Sequence, residues 1–129
     1  MKLLVDTHVA IWIVSEPNKL PLSIRTLLTN PENRTYVSAV SVWEIAIKRS
    51  RRGAKAMPLD SASALTLFRQ SNLHLLDITP EHAAAVEQIS TAHADPFDRL
   101  LIAQAITEPL ALITRDSKIA AYSPTFITW

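Results

Sequence analysis

The sequence predicts an α/β protein, a three-layer α/β/α sandwich around a central, mainly parallel sheet, and three observations carry that prediction. Short apolar runs alternate with helix-period segments from one end of the chain to the other, the pattern of strands joined by helical crossovers. Such crossovers are right-handed, which leaves a parallel sheet with helices on both faces. At 129 residues the chain suits one domain, residues 1–129, able to hide roughly two-thirds of the surface that its unfolded form exposes.

Taken in order, KLLV is a short strand closed by Asp6, and THVAIWIVS is the helix after it. A second helix covers about Leu22 to Thr29, TYVSAV is a strand, and SVWEIAIKRSRR is a helix that stops near Gly53. Another helix runs from about Ser61 to Gln70, and LHLLDI is the third strand. TPEHAAAVEQIS opens a helix with Thr79 as cap and Pro80 at its first position. Asp95-Pro96 repeats that start signal for a helix from Pro96 to Thr107, apolar nearly all round and so expected to be covered on both faces. Strand LALIT, a short helix near Ser117 to Ala121 and a last strand TFIT complete the chain.

Composition excludes several functions. Absent cysteine removes disulfide frameworks and thiolate metal sites, leaving hard oxygen ligands or the four histidines, and it fits a reducing cytoplasm. A single glycine, where ordinary usage gives about nine, excludes phosphate-cradling glycine loops and the dinucleotide fingerprint. Asp6 and His8 interrupt the apolar opening MKLLVDTHVAIWIV, so it reads as a strand and a helix rather than a signal peptide. No apolar run approaches a membrane span, and the expectation is a soluble protein with no membrane partner. Hydrophobic residues at 48% against 19% charged leave apolar surface for a partner, consistent with oligomers.

Net charge is only +1, yet residues 1–60 hold nine basic and five acidic residues against four and seven in the remainder. The basic excess centres on Lys48, Arg49, Arg51, Arg52 and Lys55, a density suited to phosphate backbones or an acidic partner. The same residues also complement a helix C-terminus.

Acidic residues stand where ligands of open parallel sheets bind, beyond the carboxyl ends of the strands. Asp6 and Asp116 follow the first and fourth strands, and Glu44 and Asp98 lie near helix starts at that same edge. Each has a structural explanation of its own. Ser41 to Glu44 reads as a capping box, Asp98 as a dipole complement behind a cap at Asp95, and Asp116 as a cap or a partner of Arg115. Asp6, closing an apolar strand, has the weakest such explanation. Gathered together, four carboxylates repel by about 4 kcal/mol per close pair even at an effective dielectric near 20, which calls for protonation or a divalent ion. Mg²⁺ or Mn²⁺ fits an oxygen set, because His8, His74, His82 and His93 show no zinc-binding spacing.

The segments LLVDTHVAIW, SVWEIAIK, DPFDRLLIAQA and ALITRD resemble, in order and over the whole chain, the four acidic blocks of the PIN-domain ribonucleases, and most closely the VapC toxins. The resemblance implies a PIN-like fold and a metal-dependent endoribonuclease, the toxin of a type II toxin-antitoxin pair, dimeric and neutralised by a co-expressed VapB-like antitoxin. It places Asp6, Glu44, Asp98 and Asp116 at the acidic positions, with Thr114 as a hydroxyl contact and Thr7 and His8 as accessory candidates. His8 replaces the asparagine common in the family, and Asp95 remains open beside Asp98 as holder of a water or second ion. On this reading Asp6 and Asp116 anchor one ion, Glu44 and Asp98 help hold a second and the attacking water, and the basic run tracks RNA. Trp43 reads as core more than as a base-stacking platform.

Other readings are weaker. A haloacid-dehalogenase-type phosphatase wants an aspartate where His8 stands, and a receiver domain, with Asp77 as its phosphorylated residue, wants a well-placed lysine after LALIT. A non-catalytic acidic-pocket module that binds RNA or protein is the main alternative.

Overall fold

A computed structural model describes residues 1–129. The strands are β1 (Lys2–Val5), β2 (Arg34–Ser38), β3 (His74–Leu76) and β4 (Ala111–Ile113), in sheet order β3-β2-β1-β4 and all parallel. The helices are α1 (Thr7–Ser15), α2 (Leu22–Thr29), α3 (Ala39–Arg52), α4 (Ser61–Gln70), α5 (Pro80–Ala85), α6 (Pro96–Thr107) and α7 (Ser117–Ala120). No helix is long and apolar enough to cross a membrane.

β1 is central, so both of its faces must be apolar, and Leu3, Leu4 and Val5 are fully buried. Alternation along the strand splits the core between two layers. Leu3 and Val5 pack with Val9, Ile45 and Phe68 under α1, α3 and α4, whereas Leu4 faces Leu101, Ile102 and Leu112 under α6. The chain steps from β1 outward to β2 and β3, then returns to the other side of β1 with β4. That reversal opens a crevice beyond the carboxyl ends of β1 and β4, where such sheets bind ligands. Asp6 and Thr114 are the residues that immediately follow those two strands.

Several elements differ from the sequence reading. β2 ends at Ser38 rather than at Val40, because the Ser38 hydroxyl accepts the Val40 amide (2.9 Å) and starts α3 at Ala39. β3 is only His74–Leu76. The helix after Thr79 stops at Ala85 and tightens into a 3₁₀ turn, Val86–Gln88. Its cap is reciprocal: the His82 amide donates to Thr79 Oγ1, and the Thr79 amide donates to His82 Nδ1 at 3.0 Å. TFIT contributes one parallel bridge, Ile127 to Ile113, rather than a full strand. α6 keeps a buried stripe through Leu101 to Ala105, but Ile106 is half-exposed, so one face meets solvent.

A buried polar link fixes α3 against α6. The Ser38 hydroxyl donates to Gln104 Oε1 (2.5 Å), and Gln104 Nε2 donates to the Asp77 carbonyl (3.2 Å). Gln104 Nε2 also lies 3.3 Å from Nδ1 of the buried His82, and these partners hold α3 and α6 in one register across the sheet.

Candidate active site

Asp6 leaves β1 in extended conformation and caps α1, accepting the Val9 amide on Oδ1 at 2.9 Å. Its other oxygen accepts the Thr114 hydroxyl at 2.6 Å. The sequence reading gave Asp6 the weakest structural role, yet the structure gives it both a cap and a buried place, 6% exposed. Burial pushes its carboxyl above the ordinary range, against the pull of the Thr114 and Val9 hydrogen bonds, and the nearby Glu44 charge pushes the same way as burial.

Glu44 does not close a capping box. With Ser38 as the true cap, Ser41 is a buried helical residue and Glu44 stands in the second turn, its carboxylate directed to the start of α1. Its Oε1 accepts the Thr7 hydroxyl at 2.6 Å, Thr7 Oγ1 also lying 2.9 Å from Ser41 Oγ, and its Oε2 is paired with the Lys48 ammonium one turn on. Lys48 is thereby committed inward, to compensate a buried carboxylate.

Asp95 and Asp98 separate cleanly by geometry. Asp95 is the cap of α6, accepting the Phe97 amide at 2.8 Å and the Asp98 amide at 3.3 Å. The Asp98 side chain is thus free of capping and hydrogen-bonds His93 Nε2 at 2.9 Å. Partial burial raises the Asp98 carboxyl above its ordinary range, the His93 hydrogen bond opposes this, and the Asp95 and Glu44 charges add to the rise.

Asp116 is exposed and caps α7 through the Lys118 amide at 2.8 Å. It is not paired with Arg115, whose guanidinium binds the Trp129 carbonyl and lies over the Trp129 ring. Thr114 ties the two strand-end acids together, donating to Asp6 and accepting the Asp116 amide at 3.0 Å. Ligand atoms of His93, Asp98 and Asp116 all lie within 4.8 Å of one another. A cleft of about 280 Å³ opens between Asp6, His8, Trp12, Arg115 and Asp116.

The Glu44 charge reaches both Asp6 and Asp98, and Asp98 lies with Asp116, so the four acids act on one another as one electrostatic group, with the Lys48 ammonium paired to Glu44. An oxygen-rich set with excess negative charge, two members of which are already driven toward protonation, has the donor chemistry of a divalent-cation site. His93 was missed in the sequence. It lies five residues before Asp98 across a loop, a spacing that carries no helical or strand signal.

The basic run divides. Arg49 donates to the Met57 carbonyl at 3.1 Å, while Arg51, Arg52 and Lys55 are exposed. Arg51 and Arg52 line a groove of about 340 Å³ with Lys48, Asp95 and Phe97, beside the acids. Trp43 is not core: it is 49% exposed, with its ring edge-on to Phe97 at 4.8 Å between centroids.

Comparison with known proteins agrees with this architecture. Residues 3–123 match the family profile described as PIN domain. Ribonuclease VapC22 of Mycobacterium tuberculosis (strain ATCC 25618 / H37Rv) is 32% identical over 123 residues, covering 92% of this chain and 90% of that protein. The fold is similar to that in the crystal structure of VapBC2 from Rickettsia felis bound to a DNA fragment from their promoter, with TM-score 0.68 and 19% identity, covering 100% of this chain and 98% of that one. It is similar also to that in a toxin-antitoxin complex from Klebsiella pneumoniae, with TM-score 0.66 and 22% identity, covering 98% and 96%. On the family match and the 32% identical relative, the chain belongs to the PIN-domain family.

Proposed function

We propose that this protein is a divalent-cation-dependent endoribonuclease that acts as the toxin of a VapBC-type pair. The observation that carries the proposal is the gathering of Asp6, Glu44, Asp98 and Asp116 at the crevice where the sheet reverses, in a PIN-domain chain whose 32% identical relative is named a ribonuclease. The similar folds in toxin-antitoxin complexes support a VapB-like antitoxin as partner, and pairing of two copies of this chain belongs to the same proposal.

Asp6, Asp98 and Asp116 would hold Mg²⁺ or Mn²⁺, with Glu44 as a further carboxylate beside them. Bound there, the ion supplies Lewis-acid stabilisation of phosphate charge and a water of lowered pKa. The protein's own groups do the rest. Thr114 fixes the Asp6 carboxylate and, through the Asp116 amide, the start of α7, so the two strand-end acids face the crevice in one orientation. Glu44, held by Thr7 and Lys48, would orient the attacking water beside the ion, and His93 steadies Asp98 among the residues that would hold it. Arg51 and Arg52 are free to meet RNA phosphates along the adjoining groove. The family resemblance implies products with a 5′-phosphate and a 3′-hydroxyl.

The test is incubation of the purified chain with mixed RNA in Mg²⁺, in Mn²⁺ and in EDTA. Internal cleavage that EDTA abolishes and added cation restores is expected. Binding without cleavage in either cation would overturn the nuclease reading in favour of a non-catalytic acidic-pocket module.

A further inference from the structure

His93 is the histidine that reaches the acidic centre from the α6 side. Its side chain is 9% exposed, its Nε2 lies 2.9 Å from Asp98 Oδ2, and its ring meets Tyr122 edge-on at 6.3 Å between centroids. The other histidines are engaged elsewhere or open to solvent. His82 caps α5 and pairs with Glu108, His74 packs on Tyr36 at the far edge of the sheet, and His8 is exposed against Trp12.

We propose that His93 is a direct nitrogen ligand of the cation held by Asp98 and Asp116, making this a mixed nitrogen-oxygen centre that favours Mn²⁺ over Mg²⁺. The inference rests on the metal-centre reading above and adds a residue and a preference to it. The mutual 4.8 Å limit on the ligand atoms of His93, Asp98 and Asp116 is close to the roughly 3 to 4.4 Å separations of atoms that share one ion at about 2.2 Å. Mg²⁺ demands hard oxygen ligands and sheds its waters reluctantly, whereas imidazole suits transition ions, so one buried ring nitrogen in the set shifts the preference. Coordination through Nε2 requires the neutral ring to carry its hydrogen on Nδ1, and it frees the Asp98 oxygen now hydrogen-bonded to the ring to turn to the ion. Tyr122 and the hydrogen bond to Asp98 limit the swing of the ring, so the nitrogen is held near its working position before any ion arrives.

The test uses the full chain, stripped of metal and loaded with Mn²⁺ alone. Pulsed electron paramagnetic resonance is expected to show modulation from a directly bound ¹⁴N. That signal should vanish in His93→Gln and persist in His8→Gln. Isothermal titration should show Mn²⁺ affinity falling about 10–100-fold in His93→Gln, with a smaller loss for Mg²⁺. Tight Mn²⁺ binding by the unaltered chain without ¹⁴N modulation overturns the ligand role of His93 and leaves the carboxylate centre standing. Equal losses for Mn²⁺ and Mg²⁺ likewise reduce His93 to a support for Asp98. Failure of the unaltered chain to bind Mn²⁺ at all overturns the metal centre as a whole, and this inference with it.

Discussion

The acidic centre has two unlike halves. Asp6 and Glu44 are buried at 6% and 2% exposure, and every carboxylate oxygen in that half has a partner: the Val9 amide, the hydroxyls of Thr114 and Thr7, and the Lys48 ammonium. Asp98 is partly buried and Asp116 exposed, and their contacts come from His93 and from the start of α7. The difference is one of when electrostatic cost is met. The buried half meets it in folding, through fixed partners, and so forms a rigid floor. The open half leaves it to solvent and to whatever cation arrives. Preorganised charge on one side and accessible ligand atoms on the other is the division expected of a centre that must bind, react and release.

The sharpest way to break this comparison is to neutralise one acid in each half. Asp6→Asn and Asp116→Asn should each lower RNA cleavage by about 10²–10³-fold, the size of effect seen when one preorganised charge-stabilising group is removed. The halves should then part in stability. Asn caps a helix as well as Asp does, so metal-free Asp116→Asn should unfold within about 0.5 kcal/mol of the unaltered chain. Asp6→Asn should unfold later than the unaltered chain at pH 7. The carboxyl of Asp6 titrates above its ordinary value of 3.8 in the folded state, so the native protein holds its proton where the unfolded chain has lost it. Stability therefore falls as pH rises from that ordinary value through the raised one, and the advantage of Asn should close again near pH 4 (~ the ordinary range). A metal-free Asp6→Asn protein less stable than the parent at pH 7 would contradict a buried Asp6 carboxyl held above its ordinary range.

Next in size is Lys48→Met. Removing the ammonium leaves Glu44 buried beside other acids, and because Lys48 is partly exposed the cost should be about 2 kcal/mol, below the 3–5 typical of fully buried pairs. Urea unfolding reads it directly. Adding Glu44→Gln to Lys48→Met should recover most of the loss, and an additive result in that double-mutant cycle would show the pair to be uncoupled.

Thr114→Val sharpens the boundary between the halves, since this hydroxyl serves both Asp6 and the Asp116 amide. A loss of about 1–2 kcal/mol in stability is expected, together with weaker cation binding by titration calorimetry. Stability loss with unchanged cation affinity would confine Thr114 to structure.

The smallest expected effect on the centre itself lies outside both halves. Arg51→Glu with Arg52→Glu should leave cation affinity and folding nearly unchanged. If each contacts one phosphate, the slope of log affinity for single-stranded RNA against log salt should shrink by about 1.4. An unchanged slope would return these arginines to the role of a solvated helix end.

How much of this was legible in the sequence varies from residue to residue. KLLV announced a strand, and its three consecutive apolar residues are buried because the fold sets it at the centre of the sheet with both faces covered. Pro80 and Pro96, each behind a Thr or Asp, fixed two helix starts, since their missing amides fit only there. The α3 start was misread at Ser41 because Ser38 and Ser41 both make acceptable caps locally, and the choice fell to the sheet, which ends β2 at Ser38 and leaves its hydroxyl for the Val40 amide. Trp43 was misread as core because helical period alone does not say which side of a three-layer protein remains open.

Local pattern, then, determined the strand and helix order, the parallel sheet and the four acids at its carboxyl edge, because hydrophobic period, caps and prolines act within a few residues of each other. The tertiary structure alone decided which acids are buried and which are open, that Lys48 answers Glu44 rather than solvent, that Asp95 caps while Asp98 is free, and that His93 joins them. Those facts depend on distances across residues far apart in the chain, such as Asp6 to Thr114, and such distances are set by packing of the whole core and not by any segment within it.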